Sequence, residues 1–404
     1  MTSLSVRQYV VGSYQKLSLT ESEITKVQTG GPDGDLGSSE FSVLLWFSDS
    51  DESLDEILLS SEKYVAIIDG SGVLADPNGL NRGELVRLAK GRKMVNNFDR
   101  SKLSKDGYVV LVEDKDLALP SGEIIADGTD FRNTAHFRYH SDIFVPCGGR
   151  PEAVNISNVA ELFDEDGKCH YKYIIEGANL FLTQQARLYL EKRGVVVFKD
   201  ASANKGGVTS SSLEVLAGLG LSDQEYLDLM VFKDGKPSSF YRDYVKEIQG
   251  KIVENAAMEF ACIWQEFTRA GGAKPRTLIS DELSGTLNNL QAELENSDLF
   301  DDVASRRGVL NRAIPQTLVK QAGLDTLMKR LPEPYQRALF SSWVAAHFVG
   351  RFLARSSVAN LVVIDLPIWS HRKQRRLLQL CAHPRSIERS KLCLGFGRER
   401  ITVS

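Results

Sequence analysis

Apolar side chains recur along this chain with two different periods, and the change of period divides it. Leu4, Val6, Tyr9, Val10, Tyr14 and Leu17 fall at roughly helical spacing, which predicts an opening helix over residues 3–17. ITKVQT, residues 24–29, alternates apolar and polar and runs into glycines, which predicts a strand ending at Gly30. YVAIID, residues 64–69, is almost continuously apolar and is closed by Asp69, Gly70 and Gly72. A strand buried on both faces of a parallel sheet has this composition. YVVLV at 108–112, DIFVPC at 142–147, YIIEGAN at 173–179 and VVVFKD at 195–200 repeat the signature, with the helical stretches GELVRLAKG and LTQQARLYLEKR among them. Strands alternating with helices imply βαβ units, hence an α/β fold with a doubly wound sheet.

After about residue 213 the period becomes three to four. SLEVLAGLGL, SDQEYLDLMVF and FYRDYVKEIQGKIVENAAMEFACIWQEFTR are all of this kind, and Ser222 is placed to cap a helix before Asp223 and Glu225. Pro315, Pro332 and Pro334 mark kinks or ends in the helical run that follows. The expected organisation is a dinucleotide-binding domain over residues 1–230, a mainly α-helical region over 231–349, and a divergent basic tail over 350–404. Residues 351–404 hold 11 Lys and Arg against 3 Asp and Glu. An unstructured tail is the simpler reading of that imbalance, and an RNA-binding arm the less favoured one.

Composition narrows the function classes. A chain of 404 residues suggests two or three packed units. A net charge of -4 gives no whole-chain attraction to nucleic acid or an anionic membrane, so a small-molecule partner is expected. Five scattered cysteines without a CxxC pair argue against a disulfide framework and against zinc, and point to a reducing compartment. With no apolar run of about 18 residues and no signal-peptide pattern at MTSLSVRQYVVGSYQKL, the expected address is the cytoplasm, with the mitochondrion as alternative.

The candidate chemistry lies at strand ends. Gly31, Gly34 and Gly37 form G-x-x-G-x-x-G after a predicted strand, where backbone N–H groups can reach a pyrophosphate because no side chains intervene. The spacing is not G-x-G-x-x-G, and PDG is also ordinary turn chemistry, so a plain loop stands beside the phosphate turn. Asp69, at the end of the second strand, is where a Rossmann-like fold binds adenosine ribose hydroxyls, and a strand-end turn is its alternative. It follows Gly37 by 32 positions, against the usual gap of about 20. Removing FSVLLWFSDSDESLDE, residues 41–56, would shorten that gap by 16. DASANKGGVTSSSLE, residues 200–214, follows a strand and opens a helix, so its N–H and hydroxyl groups suit a carboxylate or amide. Asn179, in EGAN, suits a cofactor amide or a turn. Cys147 reads as a buried small hydrophobe rather than a nucleophile. His136 and His140 lack a third ligand in register, so no metal site is expected.

KVQTGGPDGDLGS, AIIDGSGVLADPNGL, GTDFRNTAH, DIFVPCGGRPEAVN, YIIEGANLFLT, FKDASANKGGVTSSSLEVLAGLGL, KPRTLISDELS and RLPEPYQRALFSSW occur in this order. Through them the chain resembles the large NAD-specific glutamate dehydrogenases of fungi over roughly residues 1–348, excepting 41–56. The resemblance implies oxidative deamination of L-glutamate to 2-oxoglutarate and ammonium, with hydride passed to NAD, in a homo-oligomer. It implies pyrophosphate on Gly31, Gly34 and Gly37, ribose on Asp69, nicotinamide on Asn179 and Asn204, and the substrate carboxylate on Ser211. Thr2 falls near a nicotinamide-contacting threonine of the family. The family's catalytic lysines and aspartate belong to a region ahead of the matched stretches, so no catalytic residue is assigned here. Activity is then expected only in a full-length context, and a non-catalytic NAD-binding module or inactive fragment is the alternative.

Residues 41–56 interrupt the resemblance, and an intron translated in frame would explain them, since 16 residues is a whole number of codons. Val43 to Phe47 is consecutively apolar, an aggregation liability if exposed. Calorimetric titration with NAD of the chain and of the same chain lacking residues 41–56 tests this. Binding by the shortened chain alone is the expected result, and equal binding by both would make the segment a tolerated loop.

Overall fold

The computed structural model describes residues 1–34 and 60–354, the last five by their backbone alone. Gly37, the segment 41–56 and the basic stretch beyond residue 354 lie outside the described residues. The chain forms two compact units. Of the described residues, the first combines those within Met1–Ser210 with Ile252–Phe260 and Pro275–Thr277, and the second takes Ser211–Lys251, Ala261–Lys274 and 278–354.

In the first unit, helix α1 (Thr2–Leu17) leads into β1 (Thr25–Thr29), followed by β2 (Lys63–Ile68), β3 (Gly72–Ala75), α2 (Arg82–Lys90) and β4 (Tyr108–Leu111). A separate ribbon, β5 (Lys115–Ala118) with β6 (Ile124–Asp127), precedes α3 (Gly128–Thr134), β7 (Ser141–Pro146), β8 (Tyr171–Ile175), α4 (Gln184–Glu191) and β9 (Val196–Phe198). The main sheet runs β4-β3-β2-β1-β7-β8-β9. Its β2, β1, β7, β8 and β9 are parallel, and at one edge β3 is reversed, pairing antiparallel with both β2 and β4, so that β4 again runs in the direction of the five. The expectation of a doubly wound α/β sheet holds for the five parallel strands. YVVLV differs: it pairs antiparallel with β3, a strand the periodicity did not single out. The reason lies in β3, which is reversed because only Asp69, Gly70 and Ser71 separate it from β2, too few residues for the crossover a parallel pair needs, so that YVVLV, though directed like β2, has a reversed neighbour.

Burial explains the strand composition. Val27, Ala66, Phe144, Ile174 and Val197 share one apolar cluster, while Tyr64, Ile67, Leu74 and Val109 pack with Leu85, Leu88 and Ala89 of α2 in another. Tyr64 and Ile67 reach the same cluster because the β1–β2 register shifts between Lys26 and Val27, which inserts one residue and resets the alternation. Asn81 caps α2 by accepting the Glu84 N–H at 3.0 Å. Tyr9 of α1 is fully buried, edge-on to Phe198 and Phe260 at 5.3 and 5.5 Å. Glu62, ahead of β2, accepts from Arg7 at 2.6 Å and from the Tyr14 hydroxyl at 3.0 Å.

The second unit is helical. Ser222 and Glu225 form the capping box the sequence predicts, opening a helix over Asp223–Leu229. Ser238 accepts the Tyr241 N–H at 2.9 Å and starts the 31-residue helix Ser239–Arg269. Pro315 separates Val303–Ala313 from Gln316–Ala322, and the Glu247 carboxylate accepts the first two N–H groups of the latter, Gln316 at 2.6 Å and Thr317 at 2.8 Å. Among the described residues no helix is long and apolar enough to cross a membrane.

Phe144 stacks on Tyr171 at 4.8 Å and meets Phe181 edge-on at 5.7 Å. Phe144→Ala is expected to lower unfolding stability by about 3–5 kcal/mol, read by urea denaturation. His136 lies beside the same cluster, and burial pushes its pKa down to about 4. The neutral ring is therefore favoured by folding, and this contribution is present above the ordinary histidine value and lost as pH falls. Near pH 5 the loss should reach about 2 kcal/mol, and His136→Gln should flatten that part of the stability profile.

Candidate functional site

From β1 the parallel sheet proceeds to β2 on one side, and from β7 to β8 on the other, so the order reverses between β1 and β7. The crevice outside the carboxyl ends of the strands at such a reversal is where open α/β sheets bind ligands. Here the Thr29 carbonyl accepts two N–H groups from the end of β7, Cys147 at 2.7 Å and Gly148 at 3.0 Å, and the Thr29 hydroxyl donates to the Gly148 carbonyl. Gly30 takes a left-handed φ of +88°, and a Cβ there would sit 2.8 Å from the Gly148 nitrogen. Only glycine meets both conditions.

A Cβ on Gly31 would collide with the Asp69 carboxylate, so the backbone of the turn lies directly against that side chain. Gly34 is different. Its N–H closes a turn onto the Gly31 carbonyl at 3.2 Å, and a Cβ there would make only an ordinary contact. Of the three spaced glycines, then, Gly31 is required by its neighbour, Gly34 is not required by its surroundings, and Gly37 lies outside the described residues. Gly30 was missed as a site position, although the doubled glycine after a strand was its signal.

Asp69 is buried and directly follows β2. Its Oδ1 accepts from the Ser71 N–H and hydroxyl at 2.8 and 2.7 Å, and its Oδ2 accepts the Val95 N–H at 2.7 Å. Burial pushes its carboxyl above the usual range, against those hydrogen bonds, and the nearby Asp33 adds to the rise. Three of about four lone-pair sites are engaged, which leaves room for one donor more. Asp69 therefore shapes the β2–β3 turn and also presents a carboxylate beside the Gly31 backbone.

A second set lies at the ends of β8 and β9. Asn204 Nδ2 donates to Asn179 Oδ1 at 2.6 Å and to the Gly177 carbonyl at 3.0 Å, so the two asparagines meet although 25 residues separate them. Asn204 follows the short helix α5 (Asp200–Ala203), and α6 (Gly206–Gly220) begins two residues later. The Gly206 N–H donates to Ser5 Oγ at 3.0 Å, and a Cβ on Gly207 would lie 2.7 Å from Thr2 Oγ1. These glycines thus admit the first turn of α1, which places Thr2 beside α6. The hydroxyls of Thr209 and Ser210 turn back to the carbonyls of Lys205, just ahead of α6, and Gly207, and Ser211 is exposed. Cys147 is buried. His136 and His140 diverge: His136 packs among phenylalanines, and His140 lies against His170. Among the described residues no group of acidic, histidine or cysteine side chains is arranged to hold a metal.

Comparison with known proteins shows what the chain is similar to. A family profile described as Glutamate/Leucine/Phenylalanine/Valine dehydrogenase matches residues 1–271. The chain is 52% identical over 355 residues to the NAD-specific glutamate dehydrogenase of Neurospora crassa, a match covering 87% of this chain and 32% of that protein. It is 52% identical over 358 residues to the probable NAD-specific glutamate dehydrogenase of Schizosaccharomyces pombe, covering 88% and 31%. Glutamate dehydrogenase 2 of Dictyostelium discoideum is 47% identical over 354 residues, covering 87% and 32%. The chain spans about a third of the length of these relatives. With residues 1–271 inside the family profile and 52% identity reaching across 87% of its length, the chain belongs to the glutamate/leucine/phenylalanine/valine dehydrogenase family.

Proposed function

We propose that this chain carries the NAD-binding part of a glutamate dehydrogenase, an enzyme converting L-glutamate and water to 2-oxoglutarate and ammonium. The observation that carries the reading is the Gly31 backbone held against the Asp69 carboxylate at the sheet's reversal point. A backbone free of side chains beside a fixed carboxylate fits a pyrophosphate next to a ribose diol. When bound, NAD takes the hydride that leaves the amino acid's Cα.

The chain's own groups have separate tasks in this reading. The glycine turn of Gly31, Gly34 and Gly37 carries the pyrophosphate, with the N–H groups of Gly31 and Asp33 as donors, since Pro32 has none and that of Gly34 closes the turn onto the Gly31 carbonyl. Asp69 accepts from a ribose hydroxyl, and Asn179 with Asn204 orients the nicotinamide carboxamide. Ser211 holds the substrate carboxylate. Because Asp69 and Asp33 concentrate negative charge at the turn, a 2'-phosphate is disfavoured, and NAD is preferred over NADP. The relatives named NAD-specific support the same choice. A homo-oligomer acting in the cytoplasm or the mitochondrion completes the proposal.

Asp69→Ser is expected to weaken NAD binding about tenfold, the scale of one hydrogen bond to a charged group, and to narrow the preference over NADP. Calorimetry with both cofactors reads this, and unchanged affinity for each would place the ribose elsewhere. Turnover of glutamate with NAD, followed by NADH absorbance, then separates enzyme from binding module. NADH production by the purified chain would exclude the module, whereas binding without turnover would support it.

A further inference from the structure

One guanidinium joins the ends of β8 and β9. Arg187, from α4, donates through Nε and Nη2 to the two oxygens of Glu176, at 2.8 and 2.6 Å, and Nη2 also reaches Asp200 Oδ1 at 2.9 Å. Glu176 directly follows β8, and Asp200 opens α5 just after β9. All three side chains are buried. The remaining acceptors of Asp200 are also used: Oδ2 takes the Leu180 N–H at 2.7 Å, and Oδ1 takes the Ala201 N–H at 2.8 Å.

Leu180 shows what this arrangement restrains. It follows Asn179 directly and adopts φ +58°, a left-handed conformation that L side chains avoid. Its side chain is exposed, so packing does not hold it there. Its N–H is held by Asp200, and its carbonyl accepts the Glu152 N–H at 2.7 Å. The backbone beside Asn179 is thereby tied to the residue that starts the segment carrying Asn204. Burying one cation with two carboxylates is costly, and for bulk stability apolar packing would serve as well. What a planar fork adds is a fixed angle between the two groups it grips.

We propose that Arg187, with Glu176 and Asp200, positions the nicotinamide-binding pair Asn179 and Asn204, setting the separation of their two loops without touching the cofactor. This rests on the reading of the chain as an NAD-binding unit. The triad acts on one half of the cofactor only, because Gly31 and Asp69 follow β1 and β2, which β7 separates from β8 and β9.

Titration of the full chain with NAD and with ADP-ribose, which lacks the nicotinamide ring, tests the proposal. Arg187→Lys keeps the charge and loses the fork, and Asp200→Asn cannot accept from Leu180 and Arg187 at once. In both variants the Kd for NAD is expected to rise about tenfold while that for ADP-ribose stays within about twofold. Glu176→Gln, which keeps the shape and one acceptor, should fall between wild type and Arg187→Lys. Parallel weakening of both ligands would reduce the triad to general support of the fold and overturn the proposal, as would unchanged NAD affinity in both variants. A wild-type chain that binds neither ligand would instead remove the proposed function, and this inference with it.

Discussion

The close approach of two strand ends governs this molecule's chemistry. The Thr29 carbonyl collects two N–H groups from the end of β7, and that is feasible only because Gly30 and Gly148 bring backbone against backbone. The turn that follows β1 inherits its position from this contact. Gly31 is pressed to Asp69 because Gly30 turns the chain there, and Asp69 is held in turn by Val95 and Ser71. A side chain at either glycine would separate elements that belong to different crossovers, so the constraint is one of missing atoms rather than of a strong bond.

Buried charge is handled differently at the two edges of the sheet. At the amino edge, burial would raise Glu62, but Lys26 and Arg7 outweigh it and hold the carboxyl below the usual range. It stays ionised and anchors α1 to the start of β2 through Arg7 and Tyr14. At the carboxyl edge, burial pushes Glu176 up to about 7, against the pull of Arg187 and with Asp200 adding to the rise. At both edges one guanidinium serves two carboxylates, since Arg7 reaches Glu21 as well as Glu62, and what sets Glu62 apart is the second cation, Lys26. Glu62 therefore keeps its charge, whereas Glu176, where Arg187 opposes the effect of burial, is close to changing its own.

Much of the fold was legible because period and composition act locally. The alternation of ITKVQT, the continuous apolar run of YVAIID and the Ser222–Glu225 cap all depend on neighbours within a few residues, and each appears where the sequence placed it. The antiparallel edge was not legible from hydrophobicity, since GVLA and YVVL are as apolar as the parallel strands; the shortness of the Asp69–Ser71 link was the only signal. At the site, the sequence pointed to strand ends but not to partners. That Asn179 and Asn204 meet, that Gly206 and Gly207 admit the first turn of α1, and that Arg187 grips both Glu176 and Asp200 are facts of tertiary packing between segments far apart in the chain.

The first unit is also assembled out of order. Its opening stretch ends at Ser210, yet Ile252–Phe260 and Pro275–Thr277 belong to it. Phe260 covers Tyr9 and Phe198, and Glu191 accepts the N–H groups of Arg276 and Thr277 at 2.6 and 3.3 Å. During synthesis from the amino end, the sheet emerges well before these pieces. Tyr9 and Phe198 must wait for about 60 more residues to leave the ribosome, several seconds at ordinary rates of translation. For that interval Tyr9 and Phe198 lack the aromatic cover that Phe260 gives them in the finished protein.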